Sequence, residues 1–406
     1  MMIRILIAPW HIVVDPDYGS ESAWAYNVAL YLAKSHYREI NINAVCGIAN
    51  NTNLPRNVRI FQTGFTKGGF QHRALFLLKC YNRTKELSRN VDIIHHMFPF
   101  GFRIGFNPFA IFKRLEDKSF IIGPIQYPQK YSDVYSYMHH YGKKGLETRL
   151  MFSLERIITK FSLRVMESLH ENTLKEAEAL VFDSQKTLKL YKEFYSDVMK
   201  RKHLRVIPPG VETESFRYTP PLKKKHFEIL TVGYLVKRKG IQYLIRALPY
   251  ILREFKDFKL RIVGDGPYKE ELMYLVKKLS LSPYVKFEGK VRRNKLPEIY
   301  SHCDVYVQPS LSETFPYAIR EAMSVGRPIV TTHVGFVDEH IKDGIHGYLV
   351  PPANSRALAD AIIRLLSNEK LRYKMGLMAR KYVEENLRWD KIASKWYELY
   401  AECTGR

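Results

Sequence analysis

The chain has 406 residues, 46% of them hydrophobic and 26% charged, and its 64 Lys and Arg against 41 Asp and Glu give a formal charge of +23. This composition excludes a disordered or collagen-like chain, and the length exceeds what one core usually supports, so two globular domains are expected. No run approaches the roughly 18 uninterrupted apolar residues that a spanning helix needs.

In chain order, the opening Met1-Met2-Ile3-Arg4-Ile5-Leu6-Ile7-Ala8-Pro9-Trp10 carries no small-residue cleavage site and reads as a first strand rather than a secretion signal. Strand patterns at 3–8, 42–47, 58–62, 91–95, 119–122, 179–183 and 205–207 alternate with helical patterns at 20–34, 71–87, 146–177 and 184–195. Pro220-Pro221 followed by Lys223-Lys224-Lys225 marks a linker. Beyond it, strands at 228–232, 259–263, 285–288, 305–308, 329–331 and 348–350 alternate with helices again. Such regularity means α/β architecture, with two parallel doubly wound sheets covered on both faces. Sheets of this kind bind ligands beyond the carboxyl ends of their strands.

The four cysteines, Cys46, Cys80, Cys303 and Cys403, have neither metal-like nor disulfide-like spacing and read as reduced thiols of a cytoplasmic protein. The positive charge draws anionic partners: lipid headgroups, nucleic acid or phosphorylated substrates. Basic residues gather at Lys143-Lys144, Lys200-Arg201-Lys202, Lys237-Arg238-Lys239 and Arg292-Arg293. Aromatics interleave with charge over 131–141. The stretch 151–169 alternates apolar and charged residues at helical spacing, which suits a surface-lying helix or an ordinary core-packing one. No nucleic-acid motif accompanies the charge, so nucleic acid is not an expected partner.

In the first half, Gly19, Ser20 and Glu21 stand between a strand and a helix, where glycine admits a close ligand and the helix start favours an anion. Any turn carries Gly-Ser as readily, and Glu21 serves equally as a helix cap. His95 and His96 end the strand at 91–95, in reach of an acceptor hydroxyl as base or hydrogen-bond partner, or as structural histidines. In the second half, Asp304-Val305-Tyr306-Val307-Gln308-Pro309-Ser310 reads as a strand, and Ser312-Glu313-Thr314-Phe315-Pro316 as a loop entering a helix whose first turn carries Pro316. A helix start offers free N–H groups and a positive dipole end, which suit a phosphate. Glu313 then lies in the loop above the sheet, and Glu321 about a turn and a half down the helix, in reach of hydroxyls on one ligand.

These residues resemble glycosyltransferase family 4, retaining enzymes of the GT-B fold whose hallmark is Glu-x7-Glu followed by Ala-Met and Gly-x-Pro. Here that is Glu313, Glu321, Ala322, Met323, Gly326 and Pro328. The spacing alone is a weak signal, since any acidic helix face produces it. Further segments follow in family order: Val206-Ile207-Pro208-Pro209-Gly210-Val211-Glu212 with Phe216, Leu230-Thr231-Val232-Gly233 through Lys239-Gly240, Gly264-Asp265-Gly266-Pro267, and Val285-Lys286-Phe287-Glu288-Gly289.

The resemblance implies two Rossmann-like domains facing a central cleft. The acceptor domain would span 1–220, with the helix at 388–406 packing back on it, and the nucleotide-sugar domain 221–387. It implies that Glu321 binds ribose hydroxyls, Glu313 contacts the donor sugar, and Lys239 neutralises the diphosphate leaving group. It places Gly233, Tyr234, Lys237, Arg238, Gly264, Gly289 and Val291 around the donor, with Thr314, Phe315, Pro316 and Tyr317 bringing backbone near its sugar and phosphates. Glu313, Lys239 and His95 are the catalytic candidates, and Gly19, Ser20, Glu21 and His96 the acceptor contacts. Three departures stand out: Tyr234 where the family carries Arg, Phe336 where it carries Gly, and no match for a family His in Ile122-Gly123-Pro124-Ile125-Gln126. Tyr234 and Phe336 are therefore where donor choice is expected to be set.

The implied reaction is a front-face displacement from a UDP- or GDP-type sugar to a hydroxyl of a glycan or lipid-linked acceptor, with the leaving diphosphate taking the acceptor's proton. It implies no cofactor and no metal; no Asp-x-Asp element accompanies the donor motifs. An anionic membrane surface is a candidate partner, with the protein peripheral to it. The alternatives are a phosphorylase or epimerase on the same fold, and a basic binding protein on a degenerate scaffold, betrayed by salt-dependent affinity for polyanions without transfer.

Overall fold

The computed structural model of the chain describes residues 2–10, 13–14, 19–50, 52–64, 70–97, 107, 118–126, 165, 167–222 and 225–406. The aromatic stretch 131–141, Lys143-Lys144, Lys223-Lys224 and most of the run 151–169 lie outside the described residues. The helix expected over 146–177 is described mainly at its end, where 167–176 is helical. The chain forms two compact units, one of Met1–Gly210 with Trp389–Arg406, the other of Val211–Arg388.

In the first unit the strands are β1 (Ile3–Ile7), β2 (Val13–Val14), β3 (Ile40–Cys46), β4 (Ile48–Ala49), β5 (Val58–Gln62), β6 (Ile93–His96), β7 (Ser119–Ile125), β8 (Ala179–Phe182) and β9 (His203–Val206). Seven of them form a parallel sheet in the order β5-β3-β1-β6-β7-β8-β9, with β2 and β4 paired apart. The central strands are apolar on both faces, as a sheet covered twice requires: Ile5 registers with Ile42 on one side and Ile93 on the other, and all three are buried.

The Gly19–Ser35 helix buries Trp24, Val28 and Leu32, and the indole N–H of Trp10 donates to its Ala25 carbonyl at 2.9 Å. The Trp389–Thr404 helix belongs to this unit. Its Trp389 ring stacks on Tyr31 at 6.1 Å, and its Cys403 carbonyl accepts from the Ser119 hydroxyl at 2.7 Å.

The second unit has β10 (Phe227–Val232), β11 (Phe258–Val263), β12 (Val285–Gly289), β13 (Val305–Gln308), β14 (Ile329–Thr332) and β15 (Gly347–Val350), parallel in the order β12-β11-β10-β13-β14-β15. One core joins sheet residues such as Ile229, Leu260, Ile262, Val305 and Val330 to Leu244, Ile245 and Leu248 of the Ile241–Glu254 helix and Leu358, Ile362 and Leu365 of the Ser355–Leu366 helix. Each such side chain contributes about 1.5–3 kcal/mol when fully buried. Asn354 and Asn368 cap two helices, accepting from the N–H groups of Ala357 and Leu371 at 2.9 Å.

The units divide after Gly210, not at the expected Pro220-Pro221. The intervening segment is tied to the second unit: Val211 N–H donates to Leu387 O at 2.8 Å, Ser324 Oγ to Phe216 O at 2.6 Å, and Arg327 to Thr219 O at 2.6 Å. A Pro-Pro pair signals a break in regular structure, and backbone hydrogen bonds decide where a domain ends. The strand order reverses between β10 and β13. The loops that follow these two strands leave the sheet at its carboxyl ends, where ligands of such sheets bind.

Candidate active site

The loop after β10 turns through a short 3-10 segment at Lys237–Lys239 and enters the next helix through Gly240, which has φ +69°. A Cβ there would lie 1.8 Å from the Pro309 carbonyl oxygen, so only glycine lets this loop meet the one after β13. Leu311 N–H donates to Arg238 O at 2.7 Å and ties the two loops together.

The β13 end is held from below by buried polar groups. Tyr306 hydroxyl donates to Gln308 Oε1 at 2.7 Å, Gln308 Nε2 to Ser310 Oγ at 2.9 Å, and Thr331 Oγ1 to Gln308 O at 3.0 Å. Gly335, with φ +59°, closes on the same loop from another side. A Cβ on it would fall 2.0 Å from Glu313 O.

Held this way, Glu313 accepts from Arg238 Nη1 at 2.7 Å and pairs with the Lys239 ammonium through the same oxygen. Its side chain is only 9% exposed. Burial pushes its carboxyl up, Lys239 and Arg238 pull it down, and the cations prevail, leaving it below the usual carboxylate range. Lys239 also lies over Gly233, where an added Cβ would sit 4.0 Å from Nζ. Lys237 is exposed, and its carbonyl accepts from Gln242 Nε2 at 3.1 Å.

The Tyr317–Ser324 helix starts after Pro316, which is its N-cap rather than part of its first turn. No side chain caps it: the Ile319 N–H donates to Pro316 O at 3.2 Å, and the first N–H groups of the helix point toward the loop side. Beneath them Arg320 is 1% exposed, its guanidinium 3.8 Å from the Tyr317 ring centroid and 3.3 Å from Phe315 O, and burial lowers its pKa. It adds fixed positive charge under the helix start.

Further down the helix, Glu321 is 3% exposed and has both oxygens engaged, Oε1 by Arg293 Nη1 at 2.8 Å and Oε2 by the Tyr300 hydroxyl at 3.0 Å. Arg293 also faces Glu212 at 3.8 Å and the Phe216 ring at 5.5 Å. Burial lowers the Arg293 pKa, Glu321 and Glu212 raise it, and the carboxylates win. Burial and the Glu321 charge both lift the Tyr300 phenol well above its ordinary value. A carboxylate oxygen has more than one lone pair, so Glu321 stays able to accept from a vicinal diol while its plane is fixed.

Of the expected donor residues, the structure brings together Glu313, Lys239, Arg238 and Gly233. Gly264 lies in the next loop, where its N–H donates to Gly289 O at 2.8 Å, with half-buried Val291 just beyond. Thr314, Phe315 and Pro316 form the strap before the helix start. The Phe315 ring itself is buried against His340, centroids 4.2 Å apart. Tyr234 is 53% exposed and brings no charge. Phe336, where donor choice was expected to be set, is 1% exposed and packs against Phe315 and His340, so its ring is turned into the core. Arg293, counted in the sequence only as one of a basic pair, and Tyr300 were missed. Their partner Glu321 lies a helix and a strand later, a separation that carries no periodicity.

In the first unit, Gly19, Ser20 and Glu21 form the first turn of the Gly19–Ser35 helix. His95 is no general base. It is fully buried, its Nε2–H donates to Gly123 O at 2.9 Å, and its Nδ1 accepts from Tyr400 hydroxyl at 2.7 Å, with Trp396 4.8 Å away. The strand end that the sequence exposes is roofed by the Trp389–Thr404 helix. His96 is 1% exposed, with Nδ1 3.0 Å from Asn107 Nδ2, so neither histidine is presented to an acceptor. Asp15-Pro16-Asp17, an Asp-x-Asp triplet, lies outside the described residues. No disulfide joins Cys46, Cys80, Cys303 or Cys403, and no described helix is long and apolar enough to cross a membrane.

Burial lowers the His95 pKa to about 3. Above about pH 6.5 both folded and unfolded chains hold it neutral. Below that the unfolded chain takes a proton that the native state refuses down to about pH 3, so native stability falls as pH falls. Between pH 7.5 and pH 5 the wild type is expected to lose about 2 kcal/mol more than His95→Gln. Urea denaturation at both pH values checks this, and equal losses would return His95 to an exposed site.

Residues 212–382 match the family described as glycosyl transferases group 1. An uncharacterised glycosyltransferase of Methanocaldococcus jannaschii is 37% identical over 198 residues, 48% of this chain and 50% of that protein. A GDP-mannose-dependent alpha-(1-6)-phosphatidylinositol monomannoside mannosyltransferase of Mycobacterium tuberculosis is 30% identical over 208 residues, 47% of this chain and 54% of that one. The chain thus spans about half the length of the curated relatives it matches. Sucrose-phosphate synthase of Thermosynechococcus elongatus shares the fold with TM-score 0.72 and 20% identity, covering 99% of both chains. The match fills the Val211–Arg388 unit that holds Glu313, Lys239 and Glu321, so this unit is similar to the group 1 glycosyl transferases, on a chain with the GT-B fold.

Proposed function

We propose that this protein transfers a sugar from a nucleoside-diphosphate sugar to a hydroxyl of a glycan or lipid-linked acceptor, with retention of anomeric configuration. The observation that carries this reading is Glu321, a buried carboxylate fixed through both oxygens by Arg293 and Tyr300 and set on the helix that follows the loop in which Glu313 meets Lys239. A fixed carboxylate accepts from a ribose diol, and a helix start beside an ammonium receives phosphates. The GDP-mannose-dependent relative supports a donor of this class.

In the proposed reaction Lys239 and the helix N–H groups offset the charge that grows on the leaving diphosphate as the glycosidic bond breaks. The diphosphate oxygen takes the proton of the incoming hydroxyl on the same face, so no protein nucleophile or general base is called for. This agrees with the burial of His95. The cations of the chain supply the charge, and the reaction draws on no metal. The reaction belongs in the cytoplasm, and the +23 charge suits an acceptor carried on an anionic membrane surface.

Thermal-shift stabilisation against UDP, GDP and their sugars tests the reading, with Glu321→Ala as control. A selective shift of several degrees for one nucleotide, lost in the variant, is expected. No shift with any nucleotide would move the protein to the binding class.

A further inference from the structure

We propose that Arg238 is the second cation of the diphosphate subsite, taking over from the arginine expected at the place of Tyr234, and that Glu313 is its built-in counter-ion, displaced when a diphosphate enters. This rests on the donor reading above and assigns the work inside that site.

Tyr234 offers no charge. Arg238 does, from a different place in the loop. Its Nη1 donates to Glu313 Oε1 at 2.7 Å and to Ser312 O at 3.2 Å, while the Lys239 ammonium shares that same Glu313 oxygen. Two cations converge on one carboxylate oxygen beside the uncapped helix start. The register is enforced, because Gly240 closes the turn against Pro309 and Leu311 N–H holds the Arg238 carbonyl. That register turns Arg238 and Lys239 toward Glu313 and leaves Lys237 exposed.

A single carboxylate neutralises only part of this charge. A diphosphate brings more negative charge, and more acceptor oxygens, than Glu313 can. It therefore competes for both cations and releases Glu313, which is then able to accept from a hydroxyl of the sugar attached to that diphosphate. The ion pair holds the two half-buried cations in place while the site is empty.

Isothermal titration of the full chain with GDP, UDP, GMP and UMP reads the claim. Arg238→Gln is expected to lower the preference for diphosphate over monophosphate about tenfold. Tyr234→Arg in that background is expected to restore part of it. Glu313→Gln is expected to tighten diphosphate binding several-fold, because nothing has to be displaced. An unchanged preference in Arg238→Gln, no restoration by Tyr234→Arg, or weaker diphosphate binding in Glu313→Gln each overturns the inference. A wild-type chain that binds none of the four nucleotides overturns the donor reading itself, and this inference with it.

Discussion

Lys239→Ala is expected to lower kcat for sugar transfer by about 10²–10³-fold, the cost of removing one preorganised charge from a developing anion. The Lys239 side chain is 14% exposed, so water does little to replace its charge, and charge effects there exceed those at an open surface. KM for the donor should rise much less, since most of the leaving-group charge appears only as the bond breaks. Lys239→Arg should not restore the rate, because a guanidinium fork does not superimpose on a point charge. The variant also leaves Glu313 with Arg238 as its only strong cation, so its carboxyl should move up from its lowered position. Steady-state kinetics with the donor found by thermal shift measures the split. A fall in donor affinity with unchanged kcat would mean that Lys239 binds the ground state alone.

Trp396→Ala is expected to destabilise the first unit by about 3–5 kcal/mol, the range for truncating a buried aromatic. Trp396 is fully buried against His95 and near Tyr400, with ring centroids 4.8 and 6.1 Å away. The cavity would open between the Trp389–Thr404 helix and the end of β6, and would disturb the Tyr400–His95–Gly123 chain of hydrogen bonds. Nucleotide binding should survive, because every donor residue lies in the Val211–Arg388 unit. Differential scanning calorimetry with and without nucleotide separates these effects. An unshifted transition would show that the last helix contributes little to the unit.

The alternation of strands and helices was legible because parallel sheets covered on both faces require uniformly apolar strands. Val305–Gln308 and Ile329–Thr332, buried throughout, could be placed from their β-branched and aromatic runs, although Gln308, Thr331 and Thr332 are polar. The loop-then-helix context of Glu313 and Glu321 was legible for a related reason: Pro and Ser punctuate a helix start locally. What each residue meets was not. His95 ends a strand in the way a site residue does. The sequence cannot say that a helix some three hundred positions away supplies the hydroxyl and the ring that bury it.

The fate of Phe336 follows the same rule, since its neighbours Phe315 and His340 come from separate loops. So does the domain limit, where Pro220-Pro221 was visible but the hydrogen bonds holding Phe216 and Thr219 to the second unit were not. By itself the sequence determined the two α/β units and the segment that carries the site, because periodicity and punctuation are local properties of a chain. Only the tertiary structure decided that Arg238 rather than Lys237 meets Glu313, that Arg293 and Tyr300 fix Glu321, and that His95 is enclosed. Those outcomes depend on which loops a strand order brings side by side, and strand order is set by the packing of the whole sheet.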